Sequence, residues 1–301
     1  MEFEIEDISN ELSNYVMKGV QHKYPETVLV ITTPNCFNYC DFCFRKRFVE
    51  IESDEETFDI DHLDELTDYL NQHKEVTNVL LTGGDFLTLD NKTVKRFLTL
   101  SKIDHLEYIR VGTRALSFHP SRFDEELIEL IRYKKVIVQT HFNNSDELTS
   151  LVANKVLQLR KNNITLYNQT VLLKGINDSS ETIKDLLVAL ERLGVQSYYF
   201  YQCRPIRGNE KYIVPLKDWF DIFKSVRSEL DGRTKLFKHT LTNKYGKIEQ
   251  VGMDNEYFYF KFNQCIEKGL IDIVFRLPLD NERFWIYDYE IEDMFNLRGV
   301  I

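Results

Sequence analysis

Long apolar runs are missing from this chain. No stretch approaches 18 uncharged apolar residues, so no transmembrane helix is predicted. Basic charge is scarce as well. Lys and Arg number 38 against 48 Asp and Glu, and the net charge of -10 argues against broad nonspecific nucleic-acid binding. With 6 Pro and 12 Gly in 301 residues, no Pro/Gly linker and no low-complexity segment divides the chain. Cysteines are few, five in all. The acidic start Met1-Glu2-Phe3-Glu4-Ile5-Glu6 reads as no signal peptide, which argues against a secreted disulfide framework. The expected setting is a reducing cytoplasm, where thiols stay reduced. An apolar content of 43% suffices for one large domain or two small ones.

Three of the five cysteines crowd into one short run, Thr33-Pro34-Asn35-Cys36-Phe37-Asn38-Tyr39-Cys40-Asp41-Phe42-Cys43. The spacing is C-x3-C-x2-C. Thiolates bunched this tightly on a loop can grip one iron–sulfur cluster. A four-iron cubane wants four ligands, so three cysteines leave one iron open to hold a small molecule and pass it an electron. A structural zinc site would want a fourth Cys or His nearby, and the nearest downstream histidine, His62, stands alone. Buried structural cysteines would follow a strand or helix period, and these do not.

Apolar, β-branched runs alternate with helical periods through the middle of the chain. Strands are predicted at residues 27–32, 76–81, 108–111, 135–139, 164–173 and 198–202, and near-continuous apolar character marks strands buried on both faces. Helices are predicted over 62–70, 123–133, 145–162, 180–193 and 215–230, the third opening on Ser145-Asp146-Glu147 as cap and acidic first turn. Six strand–helix repeats imply parallel pairing with right-handed crossovers. They fall two short of a closed eightfold barrel. The expected fold class is therefore α/β, a partial (β/α)6 TIM-like barrel over residues 27–234. An extension precedes it at 1–26, and a small β-rich cap follows at 235–301. The cysteine loop follows the first barrel strand, at the edge where such sheets place chemistry.

Other motifs sit at the same edge. Strand 2 ends in Leu81-Thr82-Gly83-Gly84-Asp85, where glycines allow close backbone approach and Asp85 supplies an acceptor. A tight turn with a helix cap is the plain alternative. Strand 3 ends in Arg110-Val111-Gly112-Thr113-Arg114, and arginine suits carboxylate binding, with a surface ion pair as the alternative. Taken together with the cysteines, these motifs resemble the radical S-adenosylmethionine (SAM) superfamily. The runs Cys43-Phe44-Arg45-Lys46-Arg47-Phe48, Thr140-His141-Phe142-Asn143, Asn168 to Asp178 and Tyr198-Tyr199-Phe200-Tyr201-Gln202-Cys203 narrow the resemblance to the lysine 2,3-aminomutase family. The resemblance implies that Cys36, Cys40 and Cys43 hold a [4Fe-4S] cluster whose open iron chelates SAM, that Phe42 packs near the adenine, and that Gly83, Gly84 and Asp85 hold SAM. It implies reductive cleavage of SAM to a deoxyadenosyl radical that takes hydrogen from a substrate. Arg110 is expected at the cofactors and Arg114 at the substrate carboxylate. Tyr201 would lie beside cofactor or substrate, and His141, Asn143 and Gln169 would line the barrel mouth.

Three departures from the family stand out. Its glycine-rich run with the pyridoxal phosphate (PLP) lysine is absent; Lys247 occupies a comparable region without the glycines, so PLP is not expected. Arg204, followed by Arg207, replaces the acid that meets the substrate ammonium, which rejects lysine and invites an anion. The family's long N-terminal region is missing ahead of Cys36. The expected partners are a small or macromolecule-attached substrate and an external electron donor of flavodoxin or ferredoxin type, with neither membrane nor nucleic acid. Competing readings are a PLP-dependent aminomutase using a displaced Lys247, and a non-enzymatic cluster carrier. Cys203 and Cys265 read as packed thiols. Arg45-Lys46-Arg47 reads either as a solvated face or as counter-charge beside the cluster.

Overall fold

The computed structural model describes residues 7–49, 56–132 and 135–297. The acidic start, Met1 to Glu6, and Tyr133, at the end of one predicted helix, lie outside them. The chain divides into two compact units: Ser13–Gln169 with Val188–Ser197, and the segments up to Leu12, Thr170–Leu187 and from Tyr198 onward.

The first unit opens with an antiparallel meander, β1 (Tyr15–Met17), β2 (Val20–Tyr24) and β3 (Thr27–Ile31). From β3 the pairing turns parallel, through β4 (Asn78–Thr82), β5 (Tyr108–Gly112), β6 (Val136–Thr140) and β7 (Thr165–Leu172). Register explains the apolar runs. Val28, Val79, Ile109 and Val136 pair side by side, as do Val30, Leu81, Val111 and Val138, and all eight are buried. The alternate row, Leu29, Leu80, Arg110 and Ile137, then Thr82, Gly112, Gln139 and Tyr167, points the other way, as the period of two requires.

Helices alternate with these strands. A single turn, α1 (Lys46–Val49), follows the cysteines, and α2 (Leu63–Gln72) buries Leu66 and Leu70 four residues apart. α3 (Asn91–Phe97) starts where the Asp90 carboxylate accepts the Thr93 N–H; the short α4 (Ala115–Phe118) and then α5 (Glu125–Arg132) follow. α6 (Ser150–Lys161) starts later than the Ser145 cap predicts, because Thr149 caps it. Ser145–Glu147 instead forms a separate 3-10 turn closed by an Asn144–Glu147 capping box.

α7 (Ser180–Leu193) leads to β8 (Gln196–Gln202). In the second unit α8 (Leu216–Glu229) precedes β9 (Lys238–Thr242), which pairs parallel to β8. β10 (Gly246–Met253), β11 (Tyr257–Cys265) and β12 (Val274–Pro278) add an antiparallel series, and α9 (Asp288–Phe295) closes it. Its core is aromatic: Phe220 and Phe223 of α8 meet Phe200, Phe237 and Phe258, with the Phe220 and Phe258 rings stacked at 5.2 Å, and Trp219 packs on Phe220. His239 is buried in this cluster beside Gln250, and burial holds its imidazole well below its ordinary pKa. Among the described residues no helix is long and apolar enough to cross a membrane.

Asn168 on β7 is buried and ties neighbouring strands at their C-terminal ends. Its Oδ1 accepts from Thr140 Oγ1 at 2.9 Å and Phe142 N at 2.8 Å, and its Nδ2 donates to Phe142 O at 3.1 Å. Asn168→Ala removes the hydrogen bonds to the Phe142 N–H and C=O, each loss costing about 1–3 kcal/mol. A loss of about 2–4 kcal/mol in unfolding free energy is expected in urea denaturation followed by circular dichroism. An unchanged midpoint would show that these bonds do not brace the sheet edge.

Candidate active site

The cysteine loop leaves β3 and is held by the turn that follows β4. Thr32 N–H donates to Thr82 O at 2.8 Å, Gly84 N–H to Thr33 O at 2.7 Å, and Asp85 N–H to Asn35 O at 2.7 Å. These bonds bring the two backbones into contact. A Cβ on Gly84 would lie 2.2 Å from Asn35 O and 2.8 Å from Pro34 C. Gly83 adopts a φ of +125°, a conformation that favours glycine. The glycine pair therefore serves close approach of the loop backbone.

Within the loop, Cys43 N–H donates to Cys40 O at 2.9 Å, and Cys36 packs against Ile31, Phe48 and Val49. All three thiols are free and partly exposed, whereas Cys203 and Cys265 are buried. Burial, reinforced by negative charge at Asp85 and the neighbouring Cys43 and Cys40, pushes the Cys36 thiol up to about 12. Burial raises Cys43 too. Loading metal here must therefore expel protons. Among the described residues no three His, Cys, Asp or Glu side chains converge on one ion. A cubane asks for something else: one thiolate per iron, at separate corners. Three thiols on one short loop, none of them in a disulfide, fit that demand.

Asp85, expected at SAM, is bonded within the fold. Its carboxylate is buried and accepts four hydrogen bonds. It accepts from Thr113 Oγ1 at 2.7 and 2.9 Å, from Leu87 N at 3.0 Å and from Arg114 N at 2.8 Å. Burial raises its pKa while these donors oppose the rise. It caps the 3-10 turn Phe86–Thr88 and ties β4 to the end of β5.

Arg114 is also committed. Its Nη2 pairs with Glu147 Oε2 at 2.8 Å, its Nε donates to His141 O at 3.0 Å, and its Nη1 lies 2.9 Å from Cys40 Sγ. The guanidinium sits 4.6 Å from the Phe118 ring centroid and 5.8 Å from that of Phe42. This pairing occupies the arginine that the resemblance places at a substrate carboxylate. Glu147 is what local sequence reading missed: its Oε1 accepts from Asn143 N at 2.6 Å and Asn144 N at 3.2 Å, which aims Oε2 at Arg114.

His141 packs edge-on to Phe42 at 5.8 Å and shares a 3.0 Å hydrogen bond with Asn143 Oδ1. Desolvation, then the Arg114 charge, pulls its imidazole down to about 3, so it is neutral near pH 7. Phe37, between the first two cysteines, stacks on His119 at 5.1 Å. Arg45 is buried, with Nη1 3.4 Å from Thr82 Oγ1, so it is no solvated face. Arg47 pairs with Glu56 at 3.4 Å.

The remaining expected residues fall elsewhere. Arg110, expected at the cofactors, donates to Thr27 Oγ1 at 3.4 Å. Thr27 begins β3, whereas the cysteines follow its end, so this guanidinium turns to the opposite edge. Gln169 is half-buried on β7, within the first unit. In the second unit, the Tyr201 ring lies 5.2 Å from Tyr199, and Arg204 Nη1 donates to Ser9 Oγ at 2.9 Å. Lys247 lies on β10, bonded to Gln264 with its amine 5.7 Å from the Tyr199 ring centroid.

Residues 30–187 match the radical SAM superfamily, and the chain belongs to it. It is a radical SAM enzyme resembling lysine 2,3-aminomutase, with a [4Fe-4S] cluster and SAM as cofactors, while the match lends no support to PLP. It is 37% identical over 295 residues to a putative L-lysine 2,3-aminomutase of Aquifex aeolicus, covering 94% of this chain and 77% of that protein. With the L-lysine 2,3-aminomutase of Clostridium subterminale it shares 32% over 231 residues, 76% of this chain and 55% of the relative. The glutamate 2,3-aminomutase of Clostridioides difficile is 30% identical over 71% of this chain and 50% of its own length. The chain thus spans about half the length of the latter two relatives. Streptococcus suis SuiB bound to S-adenosylmethionine superposes with a TM-score of 0.54 at 14% identity, over 73% of this chain and 51% of that one. That likeness shows the fold: α/β, a partial TIM-like barrel of radical SAM type.

The contact at Gly84 yields a sharp expectation. Gly84→Ala should push the Pro34–Asn35 backbone away and cut iron uptake to less than about half of the wild-type content of a four-iron cluster. Gly232→Ala, where nothing lies within 4 Å, is the control. Iron assay after anaerobic reconstitution decides it, with far-ultraviolet circular dichroism confirming the fold. Equal iron in both variants would remove Gly84 from the loop's support.

Proposed function

We propose that Cys36, Cys40 and Cys43 ligate the cluster, and that the enzyme acts on an amino-acid-like substrate carrying a second acidic group. The observation behind the first part is the clamp of Gly84 and Asp85 N–H groups on the loop that bears three free thiols. When bound, the cluster supplies the electron that cleaves SAM, and the substrate loses a hydrogen. The chain's own residues prepare that step. Asp85 and Thr113 lock the end of β4 to that of β5, and the Phe42 and His141 rings form an apolar, neutral wall beside the loop. The electron comes from an external flavodoxin- or ferredoxin-type donor in a reducing cytoplasm. The second acidic group is assigned to Arg204, which stands where the resemblance places an acid for a substrate ammonium. Arg204 is half-buried, and a relative is named for glutamate.

The experiment is anaerobic reconstitution followed by dithionite and SAM. The protein should bind about four irons and release 5'-deoxyadenosine. Cys36→Ala, Cys40→Ala and Cys43→Ala should each lose both properties, and Cys203→Ala neither. A Cys203→Ala protein that loses the cluster while Cys40→Ala keeps it would reverse the ligand assignment.

The substrate reading has its own test. L-lysine should give no β-lysine, whereas L-glutamate or another acidic amino acid should raise SAM consumption. Arg204→Asp should abolish that rise and leave unstimulated SAM cleavage intact. Conversion of L-lysine to β-lysine would end this assignment.

A further inference from the structure

The Arg114 side chain makes four kinds of contact, and three of them serve to aim the fourth. Nε is fixed on His141 O at 3.0 Å and Nη2 on Glu147 Oε2 at 2.8 Å, while the Phe118 and Phe42 rings flank the guanidinium. Glu147 is itself held by two backbone N–H groups, from Asn143 and Asn144. What remains is Nη1, placed 2.9 Å from Cys40 Sγ. Both charged side chains are largely shielded, at 16% and 21% exposure, so solvent screens the pair weakly. Hydrogen bonds to ligand sulfurs and nearby charge are among the main determinants of an iron–sulfur reduction potential.

We propose that Arg114 and Glu147 form a charge couple that sets the reduction potential of the cluster through the Cys40 sulfur. The cation side of the couple, donating to the sulfur, stabilises the added electron. The carboxylate side partly cancels that pull. Arg114 is thus a positioning and tuning residue rather than a substrate anchor. The inference rests on the cysteine ligation proposed above.

The test uses reconstituted full-length protein without SAM or substrate. Iron content and absorbance near 400 nm first establish the cluster; a wild-type protein without them would sink the ligation reading rather than the couple. The protein is then poised with redox mediators, and the reduced fraction is read by electron paramagnetic resonance. At the wild-type midpoint, Arg114→Met should lower the reduced-to-oxidised ratio about tenfold, a shift of roughly 60 mV for a one-electron couple. Arg114→Lys, which keeps the charge, should lower it by less than about threefold. Glu147→Gln keeps an oxygen for the Asn143 and Asn144 N–H groups but removes the opposing charge, so the ratio should rise about threefold. A merely structural pair would shift both neutralising variants the same way, and that result overturns the proposal, as does Arg114→Met within twofold of wild type. If Arg114→Met takes up no iron, the sign of the Glu147→Gln shift decides.

Discussion

The close approach of two backbones, Thr33–Asn35 and Gly84–Asp85, is the constraint on which the rest of the site depends. Two N–H···O bonds at 2.7 Å bridge them, and neither would form with a Cβ at Gly84. Each such bond contributes only about 0.5–1.5 kcal/mol net. Their importance is geometric, because they decide where the next eight residues, and hence three thiols, start. The tie then propagates along one sheet edge. Asp85 passes it from β4 to Thr113 and Arg114 at the end of β5. Arg114 passes it to His141 O beyond β6, and Glu147 anchors it there. Asn168 extends the same edge to β7 by bonding Phe142. Strand ends in a parallel sheet carry unpaired backbone groups, and this edge satisfies them with side chains that also place the cysteines.

The parts of this arrangement that follow a period were legible from residue order. Val28-Leu29-Val30 and Val79-Leu80-Leu81 announce strands because both faces of a parallel sheet are covered. The cysteine spacing announces its chemistry because one short loop must present every thiolate. What was not legible is the choice of partner. Asp85 lies where a SAM-facing acid was expected, but whether a carboxylate looks outward or inward depends on Thr113, 28 residues away. Glu147 looked like an acidic first helical turn. It became a bridge because Asn144 forms its own capping box and Thr149 takes over the helix start. Arg110 shows the limit of the period itself: alternation fixes the face of the sheet, but the long side chain then runs along it toward Thr27.

Charge placement gives the arrangement a further logic. A thiol loop that must shed protons on loading metal would be expected to sit among unpaired cations, yet Arg114 beside it is matched by Glu147, and Arg47 by Glu56. An unpaired buried arginine would be costly before the cluster arrives, and a paired one is tolerated in both states. The bonds traced from Thr32 to Asn168 all lie within the first unit, whereas Arg204 bonds Ser9 in the second. The loop geometry tolerates no Cβ at Gly84, so backbone contact within the first unit, rather than charge, fixes where the three thiols start.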